Sequence, residues 1–192
     1  MNDITFDNFY SLDSKIRKQI INDPNKIKEL LKKNLKKERY EHSISVAETA
    51  RILASKHHVD VKKAYMAGLL HDCAKYLSET ELDLYLLHYD KDKLNMPIGV
   101  KHSFVGKFYL KEKLNYHDKD ILNAIYNHTI CYSKDKLSLI IYIADKREPL
   151  RNINDEILNI AFKDLYKAYE LLKNDVEEYV KGKDGRFIEN SL

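Results

Sequence analysis

Apolar residues recur at three- and four-residue spacing along almost the whole chain, and no stretch alternates apolar and polar positions between turn signals, so the pattern predicts helices throughout. Asp23-Pro24 supplies a capping residue and a proline for a first helical position. The segment after it places Ile27, Leu30, Leu31 and Leu35 on one face, with its lysines toward water. Further helices are expected over about Arg39 to His57, Asp60 to Asp72, Lys119 to His128, Lys136 to Lys146 and 155–180. Ser78 and Glu81 have capping-box spacing ahead of Leu82, Leu86 and Leu87. Asn95 to Gly99 reads as a loop before a helix near Lys101, and Gly182 to Leu192 as a frayed tail.

Composition agrees with this reading. Only 5 glycines and 3 prolines stand among 192 residues, too little punctuation for the many tight turns of a sandwich or barrel. The expected fold is therefore all-α, a single domain over 1–192 with one core. The 33 basic and 30 acidic residues leave a net charge of +3, which gives no polycation for nucleic acid. Lys26 to Arg39 is the one basic run, and its apolar stripe explains the lysines as the outer face of a core helix. The longest apolar run, Leu139 to Ala144, is too short for a bilayer, and the first residues lack a signal pattern, so no membrane role and a cytoplasmic location are expected. Cys73 and Cys131 share no metal-binding or disulfide spacing and are expected to be reduced.

The chemical signal lies in polar side chains on apolar faces. His42 heads a stripe continued by Val46, Thr49 and Leu53. Ala67-Gly68-Leu69-Leu70 runs straight into His71-Asp72, and two adjacent residues on a helix point about 100° apart, so at least one must face the core or a cleft. Asp145 shares a face with Leu137 and Ile141, His128 follows Ile121 and Ile125, and His102 precedes Phe104, Val105 and Phe108. A core histidine or a buried ion pair explains each singly. Together they amount to four imidazoles and two carboxylates, more than one metal needs. Two cations sharing a carboxylate would use the whole set and leave room for water and substrate. Nitrogen and oxygen donors without thiolates suit iron, manganese or another divalent first-row ion. His117-Asp118 is a second His-Asp pair, but in a polar stretch where Asp118 serves better as a helix cap.

Arg39-Tyr40-Glu41-His42-Ser43, His71-Asp72-Cys73-Ala74-Lys75, His102-Ser103, Asn127-His128-Thr129 and Tyr142 to Arg151 resemble, in order, the motifs of the HD-domain metal-dependent phosphohydrolases. Within that superfamily they are most similar to the YqeK branch of bacterial symmetrical diadenosine tetraphosphate hydrolases. The likeness covers about 23–151; its most specific string is A-D-x-x-E-P-x-R, from Ala144 to Arg151. Thr129-Ile130-Cys131 departs from the pattern, which more often has two threonines and a glycine followed by a slightly longer loop. The resemblance implies a helical bundle with a di-iron centre that cleaves dinucleoside tetraphosphates into two nucleoside diphosphates, using a hydroxide between the metals. It assigns His42, His71, Asp72 and Asp145 to one metal, and His102 and His128, with Asp72 bridging, to the other.

No Walker or dinucleotide glycine motif is present, so phosphates must be met by metals and cations. Lys75, one turn past His71, and Arg151 are the expected substrate contacts, with Arg39 third; Asp72 and Lys75 stand nearest the chemistry. The rival readings are a hydrolase of nucleoside monophosphates or cyclic dinucleotides and a di-iron oxidase. The expected partner is a nucleotide substrate, and a homodimer is compatible with the sequence.

Overall fold

Aspartate side chains set where the helices begin. Asp13, Asp23, Asp60, Asp118 and Asp135 each accept a hydrogen bond from the first-turn backbone N–H groups of the helix that follows, and Ser78 and Glu81 form a reciprocal capping box. The computed structural model describes residues 4–151 and 156–181. Among them are α1 (Ser14–Ile21), α2 (Pro24–Asn34), α3 (Lys37–Lys56), α4 (Val61–Leu70), α5 (Glu79–Tyr89), α6 (Ile98–Leu114), α7 (Lys119–Tyr126), α8 (Lys136–Arg147), α9 (Glu156–Ala161) and α10 (Leu165–Lys181), with three single 3-10 turns and no strand. The fold is all-α, and no helix among the described residues is long and apolar enough to cross a membrane.

The core gathers around α8, which is buried along its whole length from Leu137 to Lys146 and packs against α3, α4, α7 and α10. The run Leu139 to Ala144 gives it apolar side chains on every face, so it lies inside. The α3–α4 pair is close because its facing residues are small: Ala47, Ala50 and Ala54 of α3 and Ala64, Ala67 and Gly68 of α4 are fully buried or nearly so. A Cβ at Gly68 would stand 2.5 Å from Ala47 Cα and 2.8 Å from its backbone nitrogen. Only glycine permits this approach.

Several boundaries differ from the sequence pattern. The pattern did not reveal α1, a short helix with a single buried residue, Ile20. The helix expected over 155–180 is two helices. The carbonyl of Ala161 accepts from His57 Nε2 at 2.6 Å, and Asp164 accepts from the Lys167 N–H at 3.0 Å to start α10 afresh. The helix expected near Lys101 begins three residues earlier, directly after Pro97. Two others stop short: α4 ends at Leu70 and α7 at Tyr126, leaving His71, Asp72 and His128 in turns rather than on helices. Both cysteines are unpaired and buried. The segment Gly182 to Leu192 lies outside the described residues.

Gly68→Ala should force α3 and α4 apart or distort them, costing about 1–3 kcal/mol of stability. Equilibrium urea unfolding should show a lowered midpoint, and an unchanged midpoint would mean that this helix pair separates freely.

Candidate metal centre

Six polar side chains from five parts of the fold meet at one place. His42 comes from α3, His71 and Asp72 from the turn after α4, His102 from the second turn of α6, His128 from the turn after α7, and Asp145 from the last turns of α8. All six are buried, His42 the least at 8% exposed and His71 completely. The early helix ends matter here. In the turn after α4 the adjacent His71 and Asp72 both lie inside, at 0% and 2% exposure. The loop carrying His128 is closed by Asn127, whose Oδ1 accepts from the Tyr132 N–H at 3.0 Å.

The two oxygens of Asp72 face different partners. Oδ1 lies 3.1 Å from His102 Nε2 and 3.4 Å from His128 Nε2. Oδ2 lies 3.3 Å from His71 Nε2 and 3.9 Å from His42 Nε2, and accepts from Arg39 Nη1 at 2.8 Å. Asp145 Oδ1 completes the second group, 3.1 Å from His42 Nε2 and 3.7 Å from His71 Nε2. The carboxylate of Asp72 therefore sits between two donor sets.

Proton placement shows what these sets need. Carbonyl oxygens only accept, so His71 Nδ1–H donates to the Gly68 carbonyl at 2.7 Å and His128 Nδ1–H to the Ile125 carbonyl at 2.7 Å. In the neutral rings each Nε2 then presents a lone pair. His71 Nε2 faces His42 Nε2 at 3.2 Å, and His128 Nε2 faces His102 Nε2 at 3.1 Å, with carboxylate oxygens alongside. Lone pairs and anionic oxygens packed this closely suit a shared proton or a metal ion. Donors held 2.0–2.2 Å from a common ion stand roughly 3.0–3.4 Å apart, and the closest pairs match that spacing. Two donor triads, His42-His71-Asp145 and His71-Asp72-His128, are each tight enough to hold a metal ion.

The titration of the groups fits the same picture. Burial opposes the charges of Asp72 and Asp145, but both stay well below the usual carboxylate range; for Asp72 the surrounding histidines prevail, and for Asp145 the His42 hydrogen bond with Arg151 and Lys146. Burial, with the Lys75 ammonium nearby, pushes His102 down to about 3, and burial also lowers His128. These rings stay neutral, as metal ligands must. Burial works against a charge on His42 as well, yet hydrogen bonds to Asp145 and Glu148 raise it to about 9, so a metal ion held there would displace a proton.

The cations expected to meet substrate divide into two kinds. Lys75, Arg39 and Arg151 all line a cleft of about 820 Å³ that opens onto His42, Asp72 and Asp145. Arg39 and Arg151, however, are held on carboxylates: Arg151 donates from Nε to the Asp145 carbonyl at 2.5 Å and from its Nη2 to Asp145 Oδ1 at 3.0 Å. Lys75 has no ion pair among the described residues. Two functional neighbours went unread. Glu148, 3% exposed, accepts from His42 Nδ1 at 3.0 Å through Oε1 and from the Leu150 N–H at 2.7 Å through Oε2. Lys146, also 3% exposed and pushed down to about 8 by burial, donates to the His128 and Thr129 carbonyls at 3.1 and 3.3 Å. Glu148 belonged to the motif string but sits on no apolar stripe of a helix; Lys146 lay on one and looked like any lysine. His117 and Asp118 stand apart: Asp118 caps α7 and His117 meets Asn115 at the surface.

All six residues fall within a stretch that matches a known domain. The HD domain pattern matches residues 39–150, and the chain belongs to the HD-domain family, a metal-binding fold. It is 34% identical over 142 residues to a symmetrical bis(5'-nucleosyl)-tetraphosphatase of Staphylococcus aureus, covering 71% of this chain and 73% of that protein. It is 34% identical over 166 residues to a probable nicotinate-nucleotide adenylyltransferase/Ap4A hydrolase of Mycoplasma genitalium, covering 79% of this chain but only 46% of that longer protein. A crystal structure from Clostridium acetobutylicum, described as a "predicted HD superfamily hydrolase involved in NAD metabolism", superposes with a TM-score of 0.74 at 33% identity, over 88% of this chain and 93% of the other.

Glu148→Ala would leave the buried His42 Nδ1–H without its acceptor and free the ring to rotate. Metal affinity should drop by roughly 10- to 100-fold, read by chelator competition. Wild-type affinity in a folded Glu148→Ala protein would show that the carboxylate does not orient the ring.

Proposed function

We propose that this protein is a metal-dependent phosphohydrolase that splits dinucleoside tetraphosphates, diadenosine tetraphosphate among them, symmetrically into two nucleoside diphosphates. The observation that carries the reading is the split of Asp72, one oxygen toward His102 and His128, the other toward His71 and His42. On this reading His42, His71, Asp72 and Asp145 hold one metal, and Asp72, His102 and His128 hold a second. The nitrogen and oxygen donors suit iron, manganese or another divalent first-row ion, and the family resemblance favours iron. The names of the relatives from Staphylococcus aureus and Mycoplasma genitalium support the substrate class.

The metals, when bound, supply Lewis acidity to the phosphoryl group and to the attacking water. The chain's own side chains do the rest. Asp72 and Asp145, kept ionised, hold anionic oxygens beside the histidines, and Arg39 and Arg151 offset the charge that these carboxylates gather. Lys75, which has no ion pair among the described residues, is the cation available to a phosphoryl oxygen in the cleft. Each arginine carries five N–H donors, so Arg39 and Arg151 keep some for phosphate while holding their carboxylates. Water adds to one of the two equivalent central phosphorus atoms, and the anhydride oxygen leaves on the other nucleoside diphosphate.

Diadenosine tetraphosphate given to metal-loaded protein should yield ADP as the sole initial product, resolved by anion-exchange chromatography. Initial AMP plus ATP would reject symmetrical cleavage. Lys75→Ala should lower kcat/KM by roughly 10- to 1,000-fold, with kcat falling as well as KM rising, because charge on the phosphoryl oxygens grows toward the transition state. A rise in KM alone would place Lys75 on a distal phosphate.

A further inference from the structure

One large side chain in the cleft is used neither by the metal donors nor by the phosphate cations. Tyr76 stands four residues past Asp72 and lines the cleft beside Arg39 and Lys75. It is 46% exposed. An isolated exposed tyrosine has no meaning by itself. Tyr76 differs in how it is held. The Lys36 ammonium lies 5.1 Å from the centroid of its ring, and the Arg39 guanidinium, itself on Asp72 Oδ2 at 2.8 Å, is a polar neighbour of its hydroxyl. The ring thus has cations at its face and near its hydroxyl, and it lines the cleft while remaining almost half exposed.

A planar heterocycle joined to a string of phosphates needs an aromatic surface next to cationic groups, and this arrangement offers both. We propose that Tyr76 is the stacking platform of a nucleobase subsite, receiving the base of a nucleotide whose phosphates lie against the metal donors and Lys75. The inference rests on the phosphohydrolase reading above and narrows it, because it requires a substrate with an aromatic base. It also makes a statement about selectivity. Every base has a π face, so a stacking platform tolerates different bases and distinguishes nucleotides chiefly from phosphate compounds that have none.

The test compares ADP with inorganic pyrophosphate, which lacks the nucleoside, by calorimetric titration of metal-loaded protein. Tyr76→Ala and Tyr76→Leu should weaken ADP by roughly 5- to 150-fold. Both should leave pyrophosphate within about twofold of wild type, the range of a neutral surface change. Tyr76→Phe, which keeps the ring and loses the hydroxyl, should retain ADP. Tyr10, 48% exposed and hydrogen-bonded to the Lys111 carbonyl away from the cleft, supplies the control, and Tyr10→Ala should bind both ligands as wild type does. Equal losses for ADP and pyrophosphate, repeated in Tyr76→Phe, would mean that Tyr76 acts through Arg39 and Asp72, and would overturn the subsite. Unchanged ADP affinity in Tyr76→Ala would overturn it too. Turnover separates the two claims. If wild type yields ADP from diadenosine tetraphosphate while Tyr76→Ala binds ADP normally, the subsite falls and the hydrolase stands. If wild type leaves that substrate intact while the loss specific to ADP persists, the hydrolase reading falls and the subsite stands.

Discussion

The structure depends on one buried carboxylate placed between two sets of imidazoles. Asp72 is 2% exposed, and an ionised carboxylate at that depth is sustained only by full pairing. Its two oxygens meet four histidine nitrogens and the Arg39 guanidinium. The opposite ring positions of His71 and His128 are committed to backbone carbonyls and that of His42 to Glu148, which turns their Nε2 atoms toward the centre. Such a cluster is costly by itself and favourable around cations, which couples metal binding to the stability of the centre.

The helical scaffold exists in this form to bring those groups together. α3 and α4 approach closely enough, through alanines and Gly68, for His42 and His71 to meet, and α8 threads the core so that Asp145 arrives at their level. Lys146, one residue on, pins the backbone of His128 from the same helix. The two donor sets are thereby tied by covalent neighbours as well as by Asp72. Arginines on both carboxylates keep the centre from accumulating negative charge.

Much of this was legible in the chain. The apolar spacing marked α2, α3, α5, α7 and α8, and histidines or aspartates interrupting apolar stripes pointed to the six side chains that converge. Two kinds of feature were not legible. Helix ends fell where tertiary hydrogen bonds put them: periodicity carries through His71, Asp72 and His128, but turns aim them inward, and the Ala161 carbonyl taken by His57 divides α9 from α10. The partners of charged groups were equally hidden. In a chain with 33 basic residues nothing local marks Arg39 and Arg151 as carboxylate partners, or Lys146 as buried. Glu148 shows its role only once α3 lies beside the end of α8.

The central claim is that Asp72 is shared by two metals. Its most direct test is the metal content of purified, metal-reconstituted protein, measured by plasma mass spectrometry per chain. Wild type should hold about two metals, and His102→Ala about one, since only one set loses a donor. Asp72→Ala should release both. A single metal in wild type, or an Asp72→Ala protein that retains as much metal as His102→Ala, would contradict the shared carboxylate.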